Sequence, residues 1–257
     1  MLPSPTAIPA FRDNYIWTIR QGDHCVVVDP GDAAPVERFL ADHQLSLTAI
    51  LVTHHHPDHV GGIPALLKDR DIPVYGPRQE IIPGMTHPLG EGDNILPDGL
   101  TIPFTALEVP GHTLGHIAFH SADQGWLFCG DTLFAGGCGR LFEGTPEQMY
   151  DSLQRLAALP GETLVFCTHE YTQANLTFAA AVTPDDSAVI ERLASVRHAR
   201  EAGTITLPST LNEEIRTNPF LRAHEPTLQQ ACEHREPGSA ATNMQCFATL
   251  RRWKDDF

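Results

Sequence analysis

Four histidines and an aspartate crowd into Thr53-His54-His55-His56-Pro57-Asp58-His59, directly after the apolar run Ala49-Ile50-Leu51-Val52. In an extended chain alternate side chains share a face, so His54, His56 and Asp58 are expected to converge while His55 points away. Pro57 and the following Gly61-Gly62 suggest a turn into a helix, which lets His59 reach a second metal beside the first. Further donors stand after later apolar runs: His112 in PGHTLGH, Asp131 in CGDTLF and His169 in CTHEY. Five imidazoles and two carboxylates suit a borderline divalent ion such as zinc, and suit iron or manganese as well. A single histidine is more often a hydrogen-bonded structural residue than a ligand. Four donors within six residues are different, because buried polar groups without partners are costly and no structural use for the cluster is evident. His55 and His116 lie inside these motifs and are candidates for supporting the ligands. His24, His43, His87, His120, His198, His224 and His234 have no such setting and read as structural or surface residues.

The elements that must hold these donors alternate between short apolar runs and helical stretches, which indicates an α/β arrangement. IWTIR and CVVVDPGD, joined by the turn-like QGDH, read as a hairpin, and PVERFLADH as a helix opened by Pro35. TAILVTHHHPDHVGGIPALLK reads as a buried strand, a histidine-rich loop and one further helix. PVYG, FTALEVPGHT and TLVFCTHEY read as strands, HIAFHSADQGWLFCGDTLF as a second hairpin ending in Asp131, and PEQMYDSLQRLAAL as a periodic helix. From about residue 173 the pattern turns helical, with AVIERLASVRHAREAG, the cap-like STLNEE and a last stretch from Ser239 to Phe257.

The 257 residues, 42% hydrophobic and 19% charged, allow a core large enough to hold a rigid site without disulfides. No segment reaches the roughly 18 consecutive apolar residues of a membrane span, and the start MLPSPTAIPAFRDNY lacks the basic and apolar regions of a signal peptide. Six scattered cysteines, Cys25, Cys129, Cys138, Cys167, Cys232 and Cys246, read as reduced thiols in a cytoplasmic protein. A formal charge of −15 argues against nucleic acid or an anionic membrane as partner, so an anionic small substrate would need a local basic patch.

With these motifs the chain resembles the metallo-β-lactamase superfamily from roughly Tyr15 to Tyr171. The resemblance implies an αββα sandwich with two metals: His54, His56 and His112 on the first, Asp58, His59 and His169 on the second, and Asp131 bridging both. The stretches GDTLFAGGCGRLFEGTPEQM, THEYTQANLTFA, LPSTLNEEIRTNPFLR and RRWKDDF are similar to the glyoxalase II family, whose helical C-terminal domain contains the last two. That likeness implies a catalytic domain over residues 1–172 and a small helical domain over 173–257 that binds a glutathione thioester. It also implies a monomer that hydrolyses S-(2-hydroxyacyl)glutathione thioesters such as S-D-lactoylglutathione, the second step of methylglyoxal detoxification, through a metal-bridging hydroxide beside Asp58 and Asp131. By motif match Arg140, Tyr171, Arg251 and Lys254 would grip glutathione. Phe142 stands where some members carry a tyrosine and so lacks a hydroxyl contact. Without the likeness, Arg251 and Lys254 read equally well as surface cations near a helix C-terminus.

The thioester reading is chemically coherent, because a thiolate leaves without a dedicated general acid. A mononuclear iron oxygenase acting on glutathione persulfide would leave Asp58, His59 and His169 unemployed. A nuclease would be expected to carry a basic or aromatic tract, and a non-catalytic metal module to close its coordination shells.

Overall fold

The computed structural model describes residues 2–257 as two compact units: residues up to Val109 with Leu114–Gly130, and Pro110–Thr113 with Asp131–Phe257. The first holds a six-stranded sheet, β1 (Thr6–Ala10), β2 (Asn14–Gln21), β3 (His24–Val28), β4 (Ser46–Leu51), β5 (Val74–Pro77) and β6 (His87–Leu89), in that spatial order. β1 to β3 pair antiparallel and β3 to β6 parallel. The same unit carries an antiparallel meander of β7 (Asn94–Ile95), β8 (Phe104–Glu108), β9 (Ile117–Ser121) and β10 (Trp126–Gly130). Both expected hairpins, β2–β3 and β9–β10, are present.

Helix α1 (Ala33–His43) presents Val36 and Leu40, one turn apart, to a core that contains Cys25, Val27, Ile50 and Val52. It begins two residues before Pro35, because Asp32 Oδ1 accepts the Ala34 N–H at 3.0 Å and caps it. The single helix expected after the histidine loop is instead two short turns, α2 (Pro57–Val60) and α3 (Ile63–Leu66), separated by Gly61-Gly62.

The second unit contains the hairpin β11 (Leu133–Phe134) and β12 (Gly137–Cys138), and a pair β13 (Leu164–Cys167) and β14 (Ser209–Thr210). Its helices are α4 (Pro146–Ala157), α5 (Thr172–Val182), α6 (Ser187–Glu201), α7 (Leu211–Thr217), α8 (Pro226–Arg235) and α9 (Asn243–Asp255). Thr145 and Gln148 form a reciprocal capping box at α4, and Thr210 caps α7 as STLNEE suggested.

The stretch LNEEIRTNPF acts as a clamp on the β11–β12 hairpin. Glu214, fully buried on α7, accepts the Gly136 N–H at 2.7 Å and Arg192 Nη2 at 2.5 Å. Asn218 donates to the carbonyls of Phe134 at 3.2 Å and Gly137 at 2.9 Å. The hairpin's orphan backbone groups are thereby satisfied by side chains from far along the sequence. Glu214→Ala would leave the Arg192 charge and the Gly136 N–H buried without this carboxylate, so urea denaturation is expected to show a loss of about 3–5 kcal/mol. A loss below about 1 kcal/mol would mean that the clamp contributes little.

Candidate metal and substrate site

The first unit places its donors at the C-terminal ends of the adjacent parallel strands β3 and β4, the usual place for a ligand crevice in an open α/β sheet. Asp29 follows β3 with φ +53 and is 2% exposed. One carboxylate oxygen accepts the Thr53 N–H at 2.7 Å, and the other accepts the Thr53 hydroxyl at 2.7 Å and faces His59 Nδ1 at 3.1 Å. Because the Thr53 hydroxyl hydrogen points at a carboxylate that only accepts, its contact with His54 Nδ1 at 3.0 Å requires the imidazole to donate. His54 therefore carries its hydrogen on Nδ1 and presents a basic Nε2 atom. His54 Nε2 lies 3.1 Å from His56 Nδ1, and His59 Nε2 lies 3.6 Å from Asp58 Oδ2.

These spacings match adjacent ligands of one ion, since bonds of about 2.0–2.1 Å in a tetrahedron separate neighbouring donors by about 3.3 Å. His54 and His56 thus form one pair, Asp58 and His59 another. The strand-like convergence of Asp58 with His54 and His56 is corrected: Pro57 starts α2, so Asp58 lies in a helical turn and pairs with His59. Asn14 Nδ2 donates to Asp58 Oδ2 at 3.0 Å, and the His55 N–H donates to Glu80 Oε2 at 2.6 Å. The buried His116 ring stacks on His54 with centroids 4.6 Å apart. Gly31 is obligatory beside this cluster, because a Cβ there would lie 1.8 Å from the Asp58 carbonyl oxygen.

The second unit brings His112, Asp131 and His169 together, all buried. The Arg140 carbonyl, 2.8 Å from His112 Nδ1, can only accept, so this imidazole too is held with Nε2 basic. Asp131 Oδ2 lies 3.4 Å from His112 Nε2 and 3.5 Å from His169 Nε2, within ligand spacing of both. Gly139 passes so close that a Cβ would lie 1.9 Å from the Asp131 carbonyl oxygen. Tyr171 stacks face to face on His169 at 4.7 Å, and Phe142 meets the His112 ring edge-on at 5.2 Å.

A cleft of about 540 Å³ opens in this unit, and its lining includes His112, Asp131, Phe142, Tyr171, Arg251 and Lys254. Arg140 also lines it and is largely exposed, with Nε 3.4 Å from Asp255. Arg251 is 5% exposed, donates to the Cys138 carbonyl at 2.9 Å and to Asp255 at 3.0 Å, and so is no surface cation. Lys254 Nζ lies over the rings of Phe178 and Phe257 at 5.4 and 5.6 Å. Burial, and then the charges of Arg251 and Arg140, push its pKa below the ordinary lysine value. Three cations, Arg140, Arg251 and Lys254, against two carboxylates, Asp131 and Asp255, leave the cleft lining net positive in an acidic chain.

Sequence reasoning missed Asp29, Asn14, Glu80 and Asp255. Only Asp29 left a trace, as the acid of the DPG turn after an apolar strand. Asp29→Ala removes the acceptor of both Thr53 groups and the carboxylate that faces His59 Nδ1. It is expected to weaken divalent-metal affinity by about 10–100-fold in a chelator competition titration. Unchanged affinity would refute its orienting role.

Comparison with known proteins agrees with this geometry. The family model "Metallo-beta-lactamase superfamily" matches residues 10–169, and "Hydroxyacylglutathione hydrolase C-terminus" matches residues 170–257. A hydroxyacylglutathione hydrolase of Ectopseudomonas mendocina is 54% identical over 254 residues, 98% of either chain. One of Nitrosomonas europaea is 50% identical over 250 residues, 97% of this chain and 95% of that protein. A solved structure, TTHA1623 in a di-iron-bound form, aligns with TM-score 0.58 and 30% identity over 85% of this chain and 100% of its own. Divalent-metal binding fits both the family and the donor set, and no helix among the described residues is long and apolar enough to cross a membrane. The chain has the metallo-β-lactamase fold with a helical C-terminal region, and it belongs to the hydroxyacylglutathione hydrolase family of that superfamily.

Proposed function

We propose that the chain hydrolyses S-(2-hydroxyacyl)glutathione thioesters, with S-D-lactoylglutathione as the reference substrate, to glutathione and a 2-hydroxy acid. The observation that carries this is a single cleft lined both by metal-type donors, His112 and Asp131, and by the cations Arg251 and Lys254. In this reading residues 1–172 form the catalytic domain and residues 173–257 bind the glutathione part. The protein would act as a cytoplasmic monomer on a small molecule.

We infer two divalent ions per chain, zinc first and iron or manganese as alternatives. His54, His56 and His112 would hold one, Asp58, His59 and His169 the other, and Asp131 both. Two features support this division. The closest donors of the first unit are His54 with His56 and Asp58 with His59, each pair falling on one ion. Asp131 Oδ2 sits at ligand spacing from His112 and from His169, which the division places on different ions. The di-iron form of TTHA1623 is in keeping with it.

When bound, such ions polarise the thioester carbonyl and lower the pKa of water toward neutrality. Asp58 and Asp131 offset only part of the metal charge, so the site stays positive toward the developing oxyanion. Arg140, Tyr171, Arg251 and Lys254 would anchor the tripeptide, and that remote binding holds the carbonyl in place for attack. The thiolate leaves without a general acid, its conjugate thiol having a pKa of about 8.5. Phe142 gives the tripeptide an apolar face and no hydroxyl.

Steady-state thiol release from S-D-lactoylglutathione is expected to be saturable, lost on chelation and restored by added zinc. Absence of hydrolysis by protein that retains its metal would contradict the substrate. Lys254→Ala is expected to raise KM about 10-fold, a loss of about 1.4 kcal/mol, with kcat little changed. His54→Ala should abolish turnover, and equal kcat losses in the two variants would overturn the division between binding and chemistry.

A further inference from the structure

Two of the six thiols meet. Cys232 on α8 and Cys246 on α9 are both fully buried, and their sulfurs lie 3.4 Å apart. Cys25 and Cys167 instead approach the carbonyl oxygens of Val26 and His169, each at 3.9 Å. Burial drives the Cys25 thiol up to about 12 and raises Cys167 as well. The Cys232–Cys246 pair is asymmetric: the Cys246 S–H donates to the Cys232 sulfur, which lowers the pKa of Cys232 and raises that of its partner. Cys232 is therefore the thiol readier to become a nucleophile.

Access lies close by. Between the cysteines the chain leaves α8, turns at Gly238 with φ +85, and re-enters helix after Thr242. Ser239 in this turn donates its hydroxyl to the Cys232 carbonyl at 3.2 Å. It also lines a cleft of about 360 Å³ together with Gln245, Thr249 and Arg252, neighbours of Cys246 on α9. A small neutral oxidant in this cleft would meet Ser239, which bonds the Cys232 carbonyl, and Gln245, which adjoins Cys246 in sequence.

We propose that Cys232 and Cys246 form a reversible oxidation site that takes hydrogen peroxide and closes a disulfide between α8 and α9. The Cys232 thiolate attacks one peroxide oxygen, the O–O bond breaks, and the departing oxygen takes a proton and leaves as water, giving a sulfenic acid. The Cys246 sulfur then attacks the Cys232 sulfur, the S–O bond breaks, and a second water leaves with the remaining thiol proton. Two thiols and one peroxide become one disulfide and two waters. The new bond would tie α8 to the helix that carries Arg251 and Lys254. The chemistry is independent of the substrate proposed for the active site.

Intact mass and tryptic mapping of the peroxide-treated, metal-loaded protein test this. The expected product has lost two hydrogens, joins residues 223–235 to residues 236–251, and returns to the thiol form with dithiothreitol. Cys232→Ser and Cys246→Ala should each abolish the cross-link and leave the activity of untreated protein unchanged. The wild-type result decides the matter by itself if a variant folds poorly. Oxidation of other cysteines first, sulfinic acid without a cross-link, or an unmodified pair under peroxide that consumes free glutathione would each overturn the proposal.

Discussion

The arrangement rests on imidazole tautomers held by partners that can only accept. Asp29 carboxylate oxygens take both Thr53 hydrogens, which leaves His54 Nδ1 as the donor to the Thr53 hydroxyl, and the Arg140 carbonyl takes the hydrogen of His112. The Nε2 lone pairs of His54 and His112 are thereby turned toward other donor atoms 3.1 and 3.4 Å away. Donor atoms set at that spacing share a proton or a cation between them. The surrounding fold holds these donor atoms at a spacing that suits a bound cation.

Much of the remaining architecture serves that constraint. Parallel pairing of β3 with β4 brings Asp29 beside Thr53, and Gly31 lets that strand end pass against the backbone of Asp58. In the second unit Gly139 does the same against Asp131, and the Glu214–Asn218 clamp fixes the hairpin just before it. Arg251 extends this logic to the cleft: its guanidinium is held by Cys138 and Asp255, so a fixed cation lines it.

The candidate ligands were legible because they are contiguous in the sequence or stand at the ends of apolar runs. His54, His56 and His59 could be read in this way. The partners of the ligands could not, since Asp29, Asn14 and Asp255 are single polar residues whose importance comes from long-range pairing. Strand periodicity misplaced Asp58 because Pro57 ends the extended chain one residue earlier, and Gly61-Gly62 broke a helix that apolar spacing alone made continuous. The likeness of LNEEIRTNPF to a known family was visible in the sequence. Its work in bonding the β11–β12 backbone needed the coordinates, and so did the burial of Arg251.

The most direct test of the shared-carboxylate account is metal titration of wild-type protein, Asp58→Ala and Asp131→Ala, followed by elemental analysis. If Asp131 serves both ions, Asp131→Ala weakens both binding steps by about 10-fold or more, whereas Asp58→Ala weakens one. Retention of one wild-type-affinity site in Asp131→Ala would show that Asp131 belongs to a single ion and would contradict the account.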